Sequence, residues 1–271
     1  MNEKILPEIN NNITDSNIVS DNSKFTSPNE WNEFCSYLRK HNRYVLSNKW
    51  KRFIETVLFT AKKREHILMK GAVGIRARIG KDEEEEWTAP LPRKEIEAPP
   101  NEKAREGRIN PRGISYLYLA NDIKTAISEV RPWLKQSVTV GWFGLGRDLT
   151  VVDASKDKQD LTIFPEGKIW NPSTEWEPFI WTDINDSFSI PVNVGEEYIY
   201  YAPTQYLSEC FKNAGYDGII YKSSLTQDGY NIALFDPKVA RLIMARLYDI
   251  ESISYDFKEC ANSYRVDPKE R

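Results

Sequence analysis

The stretch Gly107-Arg108-Ile109-Asn110-Pro111, continuing through Tyr116-Leu117-Tyr118-Leu119-Ala120 to Thr125-Ala126-Ile127-Ser128-Glu129-Val130-Arg131-Pro132, sets the reading of this chain. Gly107 and Pro111 mark a loop. Tyr116 to Ala120 reads as a short strand, and Asn121 stands where it can cap a following helix. In that helix Ile123, Ala126, Ile127 and Val130 fall on one apolar face, and Pro132 limits it. At about 100° per residue, Glu129 lies roughly 100° from the centre of that face, on the flank of the buried stripe where a side chain can enter a cleft. Three consecutive elements thus deliver an arginine, a tyrosine and a glutamate.

A second polar signature comes later. It reads Tyr216-Asp217-Gly218-Ile219-Ile220-Tyr221-Lys222-Ser223-Ser224 and then Gly229-Tyr230-Asn231-Ile232-Ala233-Leu234-Phe235. Both halves read as strands, with Ser223 just past the end of the first and Asn231 at the start of the second. A third polar feature is Ile75-Arg76-Ala77-Arg78-Ile79, which alternates apolar and charged residues and reads as a strand. Arginines near glycines suit a phosphorylated ligand, because a guanidinium grips phosphate in a bidentate fork and glycine lets the backbone approach.

The remainder of the chain bounds what these residues can do. It has 271 residues, 40% hydrophobic and 28% charged, with a formal net charge of −3. Such a length admits one or two domains with a sizeable core. The charge gives no support to a broad nucleic-acid-binding face, and no apolar run spans a bilayer. The amino terminus is polar and Asn-rich, without a secretory h-region, so the expected location is cytoplasmic. Cys35, Cys210 and Cys260 make neither a metal pattern nor a disulfide framework, which fits a reducing compartment. The two histidines, His41 and His66, both lie in the amino-terminal helical region, so chemistry falls to carboxylates, arginines, tyrosines and hydroxyls, with no metal expected.

Residues 1–26 read as a flexible tail and 27–70 as a helical region, with Trp31, Phe34, Cys35 and Leu38 on one face and Trp50, Phe53, Ile54, Val57, Leu58 and Ala61 on another. Lys51, Arg52, Lys62, Lys63 and Arg64 read as a solvated basic face. Residues 71–250 form the catalytic-type domain and 251–271 a carboxy-terminal tail. Within that domain the acidic run Lys81 to Glu86 and the Pro-rich segment to Pro100 read as a loop. Val138–Phe143, Leu149–Val152 and Arg241–Leu247 read as further strands, and Pro203 opens a helix that Gly215 ends. Residues 154 to 197 show no clear period, and Tyr198, Tyr200 and Tyr201 read as packing residues, with lining of the cleft as the alternative. The class is α+β with an N-terminal helical extension.

The two signatures together resemble the RES domain, a family named for an arginine, a glutamate and a serine. The resemblance covers residues 71 to 250. It implies an ADP-ribosyltransferase-like fold with a split β-sheet core, two small sheets around an NAD cleft. It further implies an enzyme that degrades NAD by phosphorolysis or hydrolysis of the nicotinamide–ribose bond, acting as the toxin of a toxin–antitoxin pair. Protein ADP-ribosylation and a non-catalytic NAD- or ADP-ribose-binding module are the alternative readings. By position Arg76, Tyr118, Glu129 and Ser223 match the family's catalytic residues. Arg108 and Asn110 match its Gly-Arg-x-Asn loop, and Arg78 and Asn231 join them as substrate-binding residues. Ile75 departs from the aromatic residue that often precedes the first arginine, which leaves Arg76 and Arg78 both open as the phosphate ligand. NAD would be substrate rather than cofactor, with inorganic phosphate as a candidate co-substrate. An Xre-like helix-turn-helix antitoxin is the implied partner, with no direct nucleic-acid or membrane contact; a homo-oligomer is compatible with this reading.

Overall fold

A computed structural model describes residues 24–84, 87–156, 172–192 and 195–261; most of the expected tail at 1–26 and the end of that at 251–271 lie outside them. Two amphipathic helices open the chain, α1 (Glu30–Lys40) and α2 (Asn48–Ala61). They meet through the aromatic faces read from the sequence: the Phe34 ring lies 5.3 Å from Phe53 and 5.6 Å from Trp50. Phe25, assigned above to the tail, is instead buried against Phe53. Thr26 closes the entry to α1 by donating its N–H and hydroxyl to the Glu30 carboxylate.

The helical region ends earlier than its sequence suggests. Residues Glu65–Leu68 form strand β1, which pairs with β7 (Leu149–Asp153). Arg64 also departs from the expected solvated face, being buried with its guanidinium over the Trp181 ring. Strand β2 (Val73–Ile79) follows. The segment read as loop contributes instead two short strands, β3 (Asp82–Glu84) paired antiparallel with β4 (Trp87–Ala89). After the short α3 (Arg93–Ile96) come β5 (Leu117–Ala120) and α4 (Ile123–Val130). The cap of α4 is Asp122 rather than Asn121: its carboxylate accepts from the Thr125 N–H at 2.8 Å. Arg131 ends the helix in the left-handed region, at φ 49°.

Strand β6 (Ser137–Leu145) leads to β7, and then to a helix absent from the sequence reading, α5 (Pro172–Ser189). The short α6 (Glu197–Tyr200) and α7 (Ala202–Asn213) precede β8 (Gly218–Lys222), β9 (Tyr230–Leu234) and β10 (Ala240–Asp249). Beyond it, residues 251–261 are exposed and carry no regular element.

The main sheet runs β1-β7-β8-β9-β5-β2-β6-β10. Among the described residues only β7 and β8 pair in parallel. At its centre β2 meets β5 through a single residue pair, Ile75 with Ala120, while β2 holds β6 over seven pairs and β5 holds β9 over four. The halves are therefore joined by a single ladder pair within one eight-stranded sheet, rather than standing as two separate small sheets, and the class is the α+β expected. One core cluster draws Leu117, Leu149 and Ile220 from one half and Phe143 and Leu145 from the other. A second lies under α4, where Ala126 packs with Ile75, Ala77 and Val140. The largest cluster gathers α1, α2, α5 and α7 over Ile219 and Ala233 of the sheet. Because Trp31, Phe53, Trp181 and Phe211 are all members of it, the amino-terminal helices share their core with the sheet domain rather than forming a separate body.

Candidate active site

The cleft opens where the central ladder stops. Past Ile75 and Ala120 the two halves diverge, and Arg76 reaches across the gap to donate from Nη1 to the Tyr118 carbonyl at 3.2 Å. Burial first, and then the neighbouring Arg78 charge, pull the Arg76 guanidinium down to about 10, so it remains charged at neutral pH. Its Nε is buried without a hydrogen-bond partner among the described residues.

Inside the split lies a cleft of about 420 Å³ lined by Arg76, Arg108, Tyr118, Glu129, Tyr221 and Asn231, among others. Glu129 enters it from the flank of α4, as the helix phase requires. The Glu129 Oε1 atom accepts from the Ser223 hydroxyl at 2.9 Å and from the Asn231 side-chain amide at 2.7 Å. Ser223 is itself fixed, since its Oγ accepts from the Leu225 N–H at 3.1 Å. Among the described residues nothing bonds Oε2, and no cation pairs with this carboxylate. The structure therefore brings together Glu129, Ser223 and Asn231, residues far apart in sequence, on one oxygen and leaves the other open to the cleft. An ion pair of Glu129 with Arg131 or Lys135 is not formed.

Tyr118 points its phenol to the Asn110 Oδ1 atom at 2.6 Å, and burial pushes that phenol well above its usual range. Asn110 is buried and donates to the carbonyls of Arg105, Pro111 and Ile114. Its role in the geometry is to tie the 105–114 loop and orient Tyr118; its amide hydrogens are spent on the backbone. Gly107 is required where it stands, because a Cβ there would lie 2.8 Å from the Tyr118 hydroxyl and 2.7 Å from the Asn110 Oδ1. Arg108 is also partly committed. Its Nη1 donates to the carbonyls of Phe188 and Ser189 at 3.2 and 2.8 Å, capping the negative end of α5, while the side chain still borders the cleft.

Arg78 sits differently from Arg76. It donates to the Glu95 carbonyl and borders only an outer basin of about 940 Å³, whereas Arg76, Tyr118 and Gly107 line both spaces. Arg76 therefore stands at the junction. Among the lining residues, Glu106, Glu197 and Tyr221 escape the sequence reading. Tyr221 is buried on β8 beside Asn231 of β9, and burial pushes its phenol further above its usual range. Tyr201 lines the cleft, the alternative to its packing reading. The strand period gave a signal for Tyr221, since it falls on the same face as Ile219, which lies over the helices.

Compared with models of known protein families, the chain matches the RES domain over residues 78–257. The chain belongs to the RES domain family. Tyr118, Glu129, Ser223 and Asn231 lie inside the matched segment; Arg78 is its first residue, and Arg76 stands two positions before it. Residues 24–77, including α1 and α2, lie outside the RES match although they share its core. No curated protein matches the chain. Among solved structures it is similar to a chain of the M. tuberculosis MbcT–MbcA toxin–antitoxin complex, at 12% identity and a TM-score of 0.36, over 72% of this chain and 91% of that one. No helix among the described residues of this RES protein is long and apolar enough to cross a membrane.

Proposed function

We propose that this RES protein cleaves the nicotinamide–ribose bond of NAD and acts as the toxin of a toxin–antitoxin pair. The observation that carries the reading is the Glu129 carboxylate, held on Oε1 by Ser223 and Asn231 and open on Oε2 toward a cleft that Arg76 borders. Breaking this bond builds positive charge on the ribose, as in glycoside cleavage. An oriented carboxylate stabilises that charge and accepts from a ribose hydroxyl. Nicotinamide starts as a pyridinium and departs neutral, so no general acid is needed. Water or inorganic phosphate then takes the ribosyl carbon, and an electron pair moves to the ring nitrogen.

Each neighbour has a task in this scheme. Ser223 and Asn231 spend Oε1, which fixes the carboxylate plane and directs Oε2 at the substrate. Arg76, charged and half-buried at the junction, holds the diphosphate. Tyr118 and Tyr221 present phenols that stay protonated, suited to stacking and hydrogen bonding rather than proton transfer. An Xre-like antitoxin covering the cleft would keep the enzyme silent.

Regulated expression tests the reading in cells. Induction of the wild-type chain is expected to arrest growth and deplete the NAD pool. Glu129→Gln, which keeps the shape and loses the charge, is expected to restore both, consistent with a loss of about 10²–10³ in turnover. Arrest by Glu129→Gln with the NAD pool intact would contradict it.

A further inference from the structure

The outer basin carries more positive charge than a diphosphate needs. It meets the inner cleft at Arg76, Glu106, Gly107 and Tyr118. Five cations line it, Arg76, Arg78, Lys94, Lys103 and Arg105, against two carboxylates, Glu95 and Glu106, a net formal charge of +3. These cations have two origins. Arg76 and Arg78 belong to β2 and stand at the junction side. Lys94, Lys103 and Arg105 come from the segment between β4 and β5, are exposed, and have no ion-pair partner among the described residues.

Resting on the NAD-cleaving reading above, we propose that the preferred substrate is the dinucleotide bearing a third phosphate, on the 2′ position of its adenosine ribose (NADP). With the nicotinamide ribose at Glu129 and the diphosphate at Arg76, the adenosine half extends into the outer basin. The adenosine of NAD carries no charge beyond its diphosphate and offers nothing to Lys94, Lys103 and Arg105. A 2′-phosphate brings roughly −1.5 to −2 charges and three acceptor oxygens. It relieves the mutual repulsion of cations that face one space, and Arg or Lys beside the adenosine ribose is the usual means of accepting it. The basin's 940 Å³ accommodates an adenosine together with that phosphate.

Steady-state cleavage of NADP and NAD by the full chain, with Lys94→Gln/Lys103→Gln/Arg105→Gln as the comparison, tests this. The wild type is expected to show kcat/KM for NADP at least about tenfold above that for NAD, and the triple variant to lose most of that ratio, as three charge contacts to phosphate allow. The three side chains are exposed, and an unchanged melting temperature checks that the variant is folded. A wild-type ratio of one or less, or a ratio that survives the triple substitution, overturns the proposal. If neither dinucleotide is cleaved, the NAD-cleaving reading fails instead. Calorimetric titration with ADP-ribose and its 2′-phosphate then decides the basin separately: about tenfold tighter binding of the phosphorylated form upholds it, and equal binding overturns it.

Discussion

Two oxygens of one carboxylate do different work in this site. On Glu129 one is taken by Ser223 and Asn231 and the other faces the cleft, so the residue is oriented without being neutralised. Glu129, Ser223 and Tyr118 were legible in sequence because motif order places them at element ends and helix phase turns Glu129 toward a cleft. The commitments of Arg108 to the end of α5 and of Asn110 to three loop carbonyls were not legible, since they depend on which backbone groups the fold leaves unpaired. Gly107 shows how tight this arrangement is. Gly107→Ala forces a methyl group against the Tyr118 hydroxyl and the Asn110 amide oxygen. Overpacking of this kind costs about 1–3 kcal/mol, so thermal melting is expected to fall by about 2–5 °C. NAD cleavage is expected to fall with it. An unchanged melting temperature would show that the loop yields freely.

At the scale of elements, the Tyr216-Asp217-Gly218 turn separates structure from chemistry within one signature. Asp217 lies near enough to the site in sequence to be taken for part of it, yet it joins strands. Its carboxylate accepts from Arg147 and, at 2.9 Å, from the Thr150 N–H at the start of β7. Burial raises its pKa, but the Arg147 and Thr150 hydrogen bonds and the Arg147 charge outweigh that, and the net shift is downward. The unfolded chain then binds the proton more readily than the folded one. The stabilisation is present above the ordinary Asp value, about 3.9, and is lost as pH falls through the lower folded value. Asp217→Asn is expected to cost about 1 kcal/mol at neutral pH, a figure already reduced for solvent screening. Melting curves of the two proteins should converge as pH falls below the lowered folded-state value; a gap that stays constant into acid would exclude the carboxylate as its cause. Helix α5 marks where element reading failed. Ile180, Ile184 and Phe188 recur at helical spacing and are fully buried, but the polar, Pro-containing stretch around them hid the period.

At the scale of the whole molecule, the split sheet and its RES signatures were readable, whereas the union of the amino-terminal helices with the sheet was not. Amphipathic faces declare that a helix is buried, without saying against what. Here Phe34 of α1 meets Tyr206 of α7 at 6.0 Å, and Trp181 of α5 stacks on Phe211 at 6.2 Å within the same cluster. Removing residues 1–61 would expose this aromatic core, at about 1.5–3 kcal/mol for each large side chain uncovered. The truncated chain is expected to be insoluble or to lose cooperative melting, and the intact chain to unfold in one transition. A soluble, cooperatively folding truncation would contradict a shared core. That core backs the strands β8 and β9 from which Ser223 and Asn231 reach Glu129, so the catalytic proposal depends on it. Proton NMR of NAD incubated with the purified intact chain tests the central claim most directly. Free nicotinamide released by the wild type, in phosphate or in phosphate-free buffer, and not by Glu129→Gln, is the predicted result; release at equal rates by both proteins, or by neither in either buffer, would contradict it.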